Sequence, residues 1–192
     1  MNKENIKAIV FDFWGVLADF QAPVNKAIGV KRPVTNYPEY YELINRHNLG
    51  QISEQEFLEA TSKLFNVELS SEHRYSFNAD HLNHELIEIV KKLKKKFKIG
   101  LVTNTGVEYM NEFLYKPDLD KLFDCLVISG SEGLRKPDPK IYMLASERLH
   151  VKPEDILYLD DHPDRITPAA ALGMQVLLYE GEKTNDLLKK LL

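Results

Sequence analysis

The chain has little cysteine, no long apolar run and no excess of positive charge, and each absence excludes a class of protein. Its one cysteine, Cys125, cannot form a disulfide within the chain or build a Cys/His zinc cluster, and its apolar neighbours predict a buried core thiol. No stretch is long and apolar enough to span a bilayer, and the N-terminus lacks the apolar run of a signal peptide, so we expect a cytoplasmic protein. A net charge of −4 gives no reason to expect binding to nucleic acid or to an acidic membrane, although a local cation can still capture a small anion.

Five short, continuously apolar runs predict the strands of a parallel sheet that helices cover on both faces. The runs are Lys7–Phe11, Ile99–Thr103, Cys125–Ser129, Ile156–Asp160 and Gln175–Tyr179. Helix signals separate the later runs; Asp138, for example, is an N-cap candidate before Pro139 at the first helical position. We expect a last short helix at Asn185–Leu192. This alternation of strand and helix predicts a doubly wound, Rossmann-like α/β fold.

The connection between the first two runs, from Asp19 to Asn83, is much longer than an ordinary crossover. Within it, Ser53 and Glu56 form a capping-box pattern that opens an amphipathic helix, and Pro38–Asn48 also has a helical pattern. We therefore predict a core made of residues 1–18 and 81–192, and an inserted helical subdomain of residues 19–80.

Carboxylates follow two of the predicted strands. Asp12 follows the first strand, and Asp160 and Asp161 stand at the end of the fourth. Ligands of α/β folds bind at the carboxyl edge of the sheet, where an aspartate can attack phosphorus or carbon. Adjacent carboxylates repel each other unless a cation lies between them, and Mg²⁺ accepts carboxylates, water and a substrate phosphate as ligands. Asp12 and Asp161 could share one such ion, although each residue alone is also typical of an ordinary turn.

A hydroxyl and an ammonium group complete the pattern. Thr103 ends the second strand, where its hydroxyl and neighbouring backbone N–H groups suit a phosphoryl oxygen. Lys136 precedes Pro137, which favours an extended backbone, and its charge could balance the carboxylates and a phosphate. Taken singly, Thr103 is an ordinary strand end and Lys136 a surface lysine.

The set and its order are more specific than any member. The sequence has Asp after strand one, Thr-Asn at the end of strand two, Lys-Pro before a helix and Asp-Asp at the end of strand four. This series, from Ile9 to Tyr179, resembles the four motifs of the haloacid dehalogenase superfamily. The insertion lies where some members carry a helical cap. The resemblance implies a Rossmann-like core, a bound Mg²⁺ and a small phosphorylated metabolite as substrate. It carries no signal for a particular oligomeric state.

The resemblance also implies a role for each matching position. Asp12 would be both the nucleophile and a Mg²⁺ ligand, with the backbone carbonyl of Trp14 and the Asp161 carboxylate as further ligands and Asp160 acting through water. The remaining implied positions hold the transferring phosphoryl group and its charge: Thr103, the backbone of Asn104, and Lys136.

One position departs from the family pattern. Phosphatases of this superfamily usually carry a second Asp two residues after the nucleophile, which protonates the leaving group and then activates water. Trp14 stands there, and an indole cannot do acid–base work. Asp19 and His162 are candidate substitutes. We expect a Mg²⁺-dependent phosphatase whose turnover depends on how this loss is compensated.

Two alternatives stay open. Haloacid dehalogenases, which act on carbon without a metal, have an aromatic residue at the position of Trp14, but they lack the full acidic pair found here at Asp160 and Asp161. A catalytically weak binding protein could keep the fold, although it would have no need for an uncompensated acidic cluster. Aromatic residues of the insertion are candidates for lining a substrate pocket: Tyr37, Tyr40, Tyr41 and Phe57.

Overall fold

The computed structural model describes residues 5–19, 23–31, 34–70, 81–114 and 119–192. Five strands form one sheet in the order β3-β2-β1-β4-β5, and every pairing is parallel. The strands are β1 (Ala8–Phe11), β2 (Lys98–Thr103), β3 (Cys125–Ile128), β4 (Ile156–Asp160) and β5 (Gln175–Leu178). The predicted α/β fold is confirmed, with each strand within one residue of its expected ends.

Helices fill the connections between the strands. Those after the insertion are α4 (His84–Leu93), α5 (Val107–Leu114), α6 (Ser129–Glu132), α7 (Pro139–Leu149), α8 (Pro163–Ala171) and α9 (Glu182–Lys189). Helix α9 begins three residues before the expected Asn185, directly after its N-cap Gly181, which has a positive φ of 66°. None of the helices in the described part of the chain has the length and apolar character needed to cross a bilayer.

The sheet is buried on both faces, as continuously apolar strands require. Ile9 and Phe11 of β1 belong to one apolar cluster, and Ala8 and Val10 to a second cluster. Neighbouring strands keep the same register, since Phe11 is paired with Leu101 and with Leu159. The carboxyl ends of β1, β2 and β4 consequently lie side by side.

Between β1 and α4, the described residues form three α-helices with a small core of their own. They are α1 (Pro23–Ala27), α2 (Pro38–Asn48) and α3 (Glu54–Phe65). The capping box at Ser53 is confirmed, with the Ser53 hydroxyl and the Glu56 carboxylate each accepting the other's backbone N–H. The boundaries of the insertion, residues 19 and 80, stay a prediction. Residues 20–22, 32–33 and 71–80 of the insertion lie outside the described part of the chain.

The aromatic residues of the insertion pack mainly with one another. Tyr40 and Phe57 are buried in its core, with Tyr37 packed against that core, and the Tyr40 hydroxyl donates to Asn25 Oδ1 at 2.6 Å. The expectation that Tyr40 and Phe57 line a pocket is therefore wrong. These aromatics join aliphatic residues such as Leu58 in one apolar cluster on the inner faces of the amphipathic helices.

Helix α2 packs against the carboxyl edge of the sheet. The buried His47 ring lies so close to Gly106, in the loop after β2, that a Cβ on Gly106 would fall 2.1 Å from His47 Cε1. At the next residue, the Ser129 hydroxyl donates to the Asn48 carbonyl at 2.5 Å. The end of α2 is thus held next to the loop after β2 and the start of α6.

Candidate active site

Asp12 stands one residue past β1 and is 1% exposed. Its backbone N–H continues the sheet by donating to the Leu159 carbonyl at 2.8 Å, and its Oδ1 accepts from the Phe13 N–H at 2.7 Å. Burial raises the pKa of Asp12 to about 6, although the neighbouring Lys136 acts in the opposite direction. The carboxylate is therefore fixed in place and removed from solvent.

Lys136 is the buried counter-ion of this carboxylate. Its side chain is fully buried, and Nζ lies 2.8 Å from Asp12 Oδ1 and 2.7 Å from Asp160 Oδ2. The Asn104 amide clamps the backbone of Lys136 from both sides, accepting from its N–H at 2.8 Å and donating to its carbonyl at 2.9 Å. The Asn104 side chain therefore has a positioning role that the sequence had not indicated, because only its backbone was expected to act.

In the acidic pair at the end of β4, Asp160 is buried and Asp161 is exposed. Asp160 Oδ2 accepts from the Tyr158 hydroxyl at 2.6 Å, and Oδ1 accepts from the His162 N–H at 3.0 Å. Burial alone would raise the pKa of Asp160, but Lys136 and other cations beside it hold that pKa below its ordinary value. The Asp161 side chain is 40% exposed, and partial burial together with the Asp160 charge raises its pKa.

These carboxylates fit a magnesium ion. Asp12, Asp160 and Asp161 each offer a carboxylate oxygen, and the three oxygens lie within 4.8 Å of one another. Gly15, with φ at 82°, brings the backbone so near that a Cβ there would fall 2.1 Å from Asp161 Oδ2. Carboxylate oxygens are hard donors of the kind that Mg²⁺ prefers. The carboxylates that the sequence placed at two strand ends do come together.

Arg165 is a site residue that the sequence reasoning missed. It lies in the first turn of α8, and Nη1 is 3.0 Å from Asp12 Oδ2, 3.5 Å from Asp160 Oδ1 and 3.9 Å from Asp161 Oδ1. Helical side chains lean toward the N-terminus of their helix, which here is the carboxyl edge of the sheet. The four-residue spacing from Asp161 was the available signal.

Thr103 offers an unused hydroxyl to the same edge. The residue is fully buried, and its Oγ1 has no hydrogen-bond partner among the described residues. Buried hydroxyls are usually paired, because an unpaired one loses its hydrogen bonds with water without replacement. A ligand oxygen at the end of β2 would satisfy it.

The acid–base candidates are less well placed. The Trp14 side chain is 7% exposed and packs edge-on against Phe13 at 4.8 Å between ring centroids, within the main apolar cluster. Asp19 is exposed. The His162 ring is 52% exposed, with Nδ1 3.8 Å from Asp164 Oδ2. Trp14 is therefore a core residue. His162 contacts the carboxylates through its backbone N–H, which donates to Asp160 Oδ1.

Comparison with known proteins gives the family context. A family model described as haloacid dehalogenase-like hydrolase matches residues 6–173. A phosphorylated carbohydrates phosphatase of Thermotoga maritima is 27% identical over 94% of this chain and 88% of its own length. A solved structure of a predicted haloacid dehalogenase-like hydrolase from Porphyromonas gingivalis matches with a TM-score of 0.79, 25% identity and 97% coverage of both chains. A Bacteroides thetaiotaomicron enzyme of the same fold, solved with magnesium and inorganic phosphate, has a TM-score of 0.75 at 19% identity, covering 92% of this chain and 96% of its own.

Proposed function

This chain belongs to the haloacid dehalogenase-like hydrolases, and from that premise we propose that it is a Mg²⁺-dependent phosphatase of a small phosphorylated metabolite. The observation that carries the proposal is the buried Lys136 ammonium between the Asp12 and Asp160 carboxylates, at 2.8 and 2.7 Å. The phosphatase of phosphorylated carbohydrates that matches along most of this chain supports a sugar phosphate as the substrate class.

In the proposed reaction, a carboxylate oxygen of Asp12 attacks phosphorus in line. The bond from phosphorus to the substrate oxygen breaks, and water later cleaves the aspartyl-phosphate to release phosphate. The Thr103 hydroxyl and the Asn104 backbone would hold phosphoryl oxygens, while the Lys136 ammonium offsets the charge on nucleophile and phosphate. Of these groups, the Lys136 ammonium is already held beside Asp12 by its two ion pairs.

The metal would be held by the carboxylate cluster. The proposed ligands are Asp12, the backbone carbonyl of Trp14 and Asp161, with Asp160 acting through water. When bound, Mg²⁺ would supply positive charge that polarises the phosphoryl group. Asp12 thus serves as nucleophile and ligand, which is why its carboxylate must be held rigidly by the Phe13 N–H.

Trp14 makes dephosphorylation the slow step in this proposal. Loss of a general acid–base group typically costs about 10²–10⁴-fold in rate. Because Trp14 packs in the core, Trp14→Asp would also damage packing. Rapid-quench measurement on the wild type is the cleaner test: we expect a burst of one leaving group per site, followed by slow turnover. Single-phase release with no trapped phosphoenzyme would contradict this step.

The insertion is proposed to act as a cap over the site. Its support is the contact of His47 with Gly106, in the loop after β2, and of Asn48 with Ser129, the first residue of α6 directly after β3. On this proposal residues 19–80 form the cap, and residues 1–18 and 81–192 form the catalytic core.

The central experiment is phosphate release from a panel of metabolite phosphates with and without Mg²⁺. We expect metal-dependent activity that falls by about 10⁴-fold or more in Asp12→Asn. Asp186→Asn is the matched control, because Asp186 is an exposed aspartate paired with Lys189 on α9. Equal rates for the wild type and Asp12→Asn would overturn the assignment of the nucleophile.

A dehalogenase-type hydrolase acting on carbon is the second candidate. Two observations favour it: the aromatic Trp14 two residues after the nucleophile, and the Arg165 cation that already lies beside Asp12 at 3.0 Å. The same panel should therefore include haloacids in the presence of a chelator. Metal-independent halide release, without phosphate release from any ester, would select this candidate.

A further inference from the structure

The Arg165 guanidinium lies in the space that a metal ion would need. Its Nη1 is 3.0, 3.5 and 3.9 Å from oxygens of Asp12, Asp160 and Asp161 respectively. Those three carboxylates are the ones whose oxygens lie within 4.8 Å of one another. Since Mg²⁺ ligands lie at about 2.1 Å from the ion, guanidinium and ion cannot both contact this set without strong repulsion.

Arg165 stands at an unfavourable place for a cation in its helix. It is in the first turn of α8, where the helix dipole favours negative charge. What compensates is the carboxylate cluster, in which three acidic groups face Lys136 and Arg165. The position of Arg165 is therefore explained by its ion pairs with the carboxylates and not by the stability of the helix.

The Arg165 side chain is also partly open to solvent. It is 30% exposed, whereas the Lys136 side chain is fully buried. The Arg165 backbone, by contrast, is tied down, because its carbonyl accepts from the Tyr142 hydroxyl at 2.7 Å. A rotation of the side chain into solvent would expose the carboxylates without moving the helix.

We propose that Arg165 is a built-in counter-ion that occupies the carboxylate cluster in the metal-free protein and must swing out before a divalent cation binds. The inference rests on the proposed function for its choice of metal. Arg165 thereby lowers the affinity for Mg²⁺. It also stabilises the metal-free fold, because with Arg165 in place the cluster has one uncompensated negative charge and without it the cluster would have two.

The test is calorimetric titration of the metal-free full chain with Mg²⁺. Arg165→Met, which keeps the length of the side chain and removes its charge, should bind Mg²⁺ at least about tenfold more tightly than wild type. Arg165→Lys, a more compact cation that cannot bridge carboxylates as a guanidinium does, should fall between the two. Arg148→Met is the matched control, because Arg148 pairs with Glu132 on the surface and should leave affinity unchanged.

A second readout is thermal denaturation. In chelator, Arg165→Met should melt below wild type, and added Mg²⁺ should raise its melting temperature by more than it raises that of wild type. Equal or weaker Mg²⁺ affinity in folded Arg165→Met, or in Arg165→Lys if the first variant does not fold, would overturn the proposal. Absence of Mg²⁺ binding in every variant would overturn it too.

Measuring both Mg²⁺ binding and phosphatase activity on the same variants distinguishes failure of this proposal from failure of the proposed function. Tighter Mg²⁺ binding by Arg165→Met, with no phosphate ester hydrolysed by any variant, supports the role of Arg165 and rejects the phosphatase. A Mg²⁺-dependent wild-type phosphatase whose Arg165→Met form binds the ion no better supports the phosphatase and rejects the counter-ion.

Discussion

Replacing Lys136 by Met should strongly destabilise the metal-free protein. Lys136 Nζ is shared by Asp12 and Asp160, and its side chain is fully buried. Removing one partner of a buried ion pair typically costs about 3–5 kcal/mol, because water cannot replace the lost charge. Here, among the described residues, Arg165 would be left as the one cation beside three carboxylates. For a chain of this size that loss corresponds to roughly 6–20 °C in melting temperature. Methionine keeps much of the apolar stem, so the loss reports on charge.

The chain offers a control with almost the same ion-pair distance and different burial. Lys94 Nζ lies 2.7 Å from Asp124 Oδ1, but these side chains are 30% and 40% exposed. Exposed pairs contribute about 0–1 kcal/mol, so Lys94→Met should change the free energy of unfolding by no more than that. Urea denaturation in the presence of a chelator, followed by circular dichroism, measures both variants on one scale.

A double variant isolates the cause. Adding Asp12→Asn to Lys136→Met removes one of the two uncompensated charges, so the double variant should be more stable than Lys136→Met alone. If Lys136→Met costs less than about 1 kcal/mol, as Lys94→Met should, then burial does not magnify this ion pair and the reasoning fails.

Two further predictions concern the contact of α2 with the sheet edge and the single thiol. Gly106→Ala places a Cβ against His47 and should lower the free energy of unfolding by about 1–3 kcal/mol and speed proteolysis within the insertion; unchanged urea midpoints would contradict the contact. Burial raises the pKa of Cys125 to about 11, so roughly 0.1% is thiolate at pH 8. Iodoacetamide should therefore modify the folded protein slowly, and the rate should rise about tenfold for each pH unit up to that pKa. In urea, modification should be rapid. Fast modification of the folded protein at pH 7 would contradict the burial.

The sequence indicated the strands well because a buried parallel strand leaves a local mark. β1 and β4 were readable as continuous apolar runs, and the capping box at Ser53 is a pattern of four adjacent residues. It was less informative about the insertion, where Tyr40 and Phe57 look the same in sequence whether they line a pocket or fill a core. The structure shows the core, because these two rings lie within 6.1 Å of each other between centroids.

What the sequence determined by itself is the inventory of the site: carboxylates, a hydroxyl and a lysine, each at a strand end or before a helix, in an order that resembles one superfamily. Only the tertiary structure decided which of these groups touch. The strand order puts β1 next to β4, so Asp12 lies near Asp160, and the segment between α6 and α7 brings Lys136 to both carboxylates. The same strand order also brings Arg165 to Asp12 across 153 positions of sequence. Contacts at that separation depend on how the whole sheet is assembled, and no local periodicity encodes them.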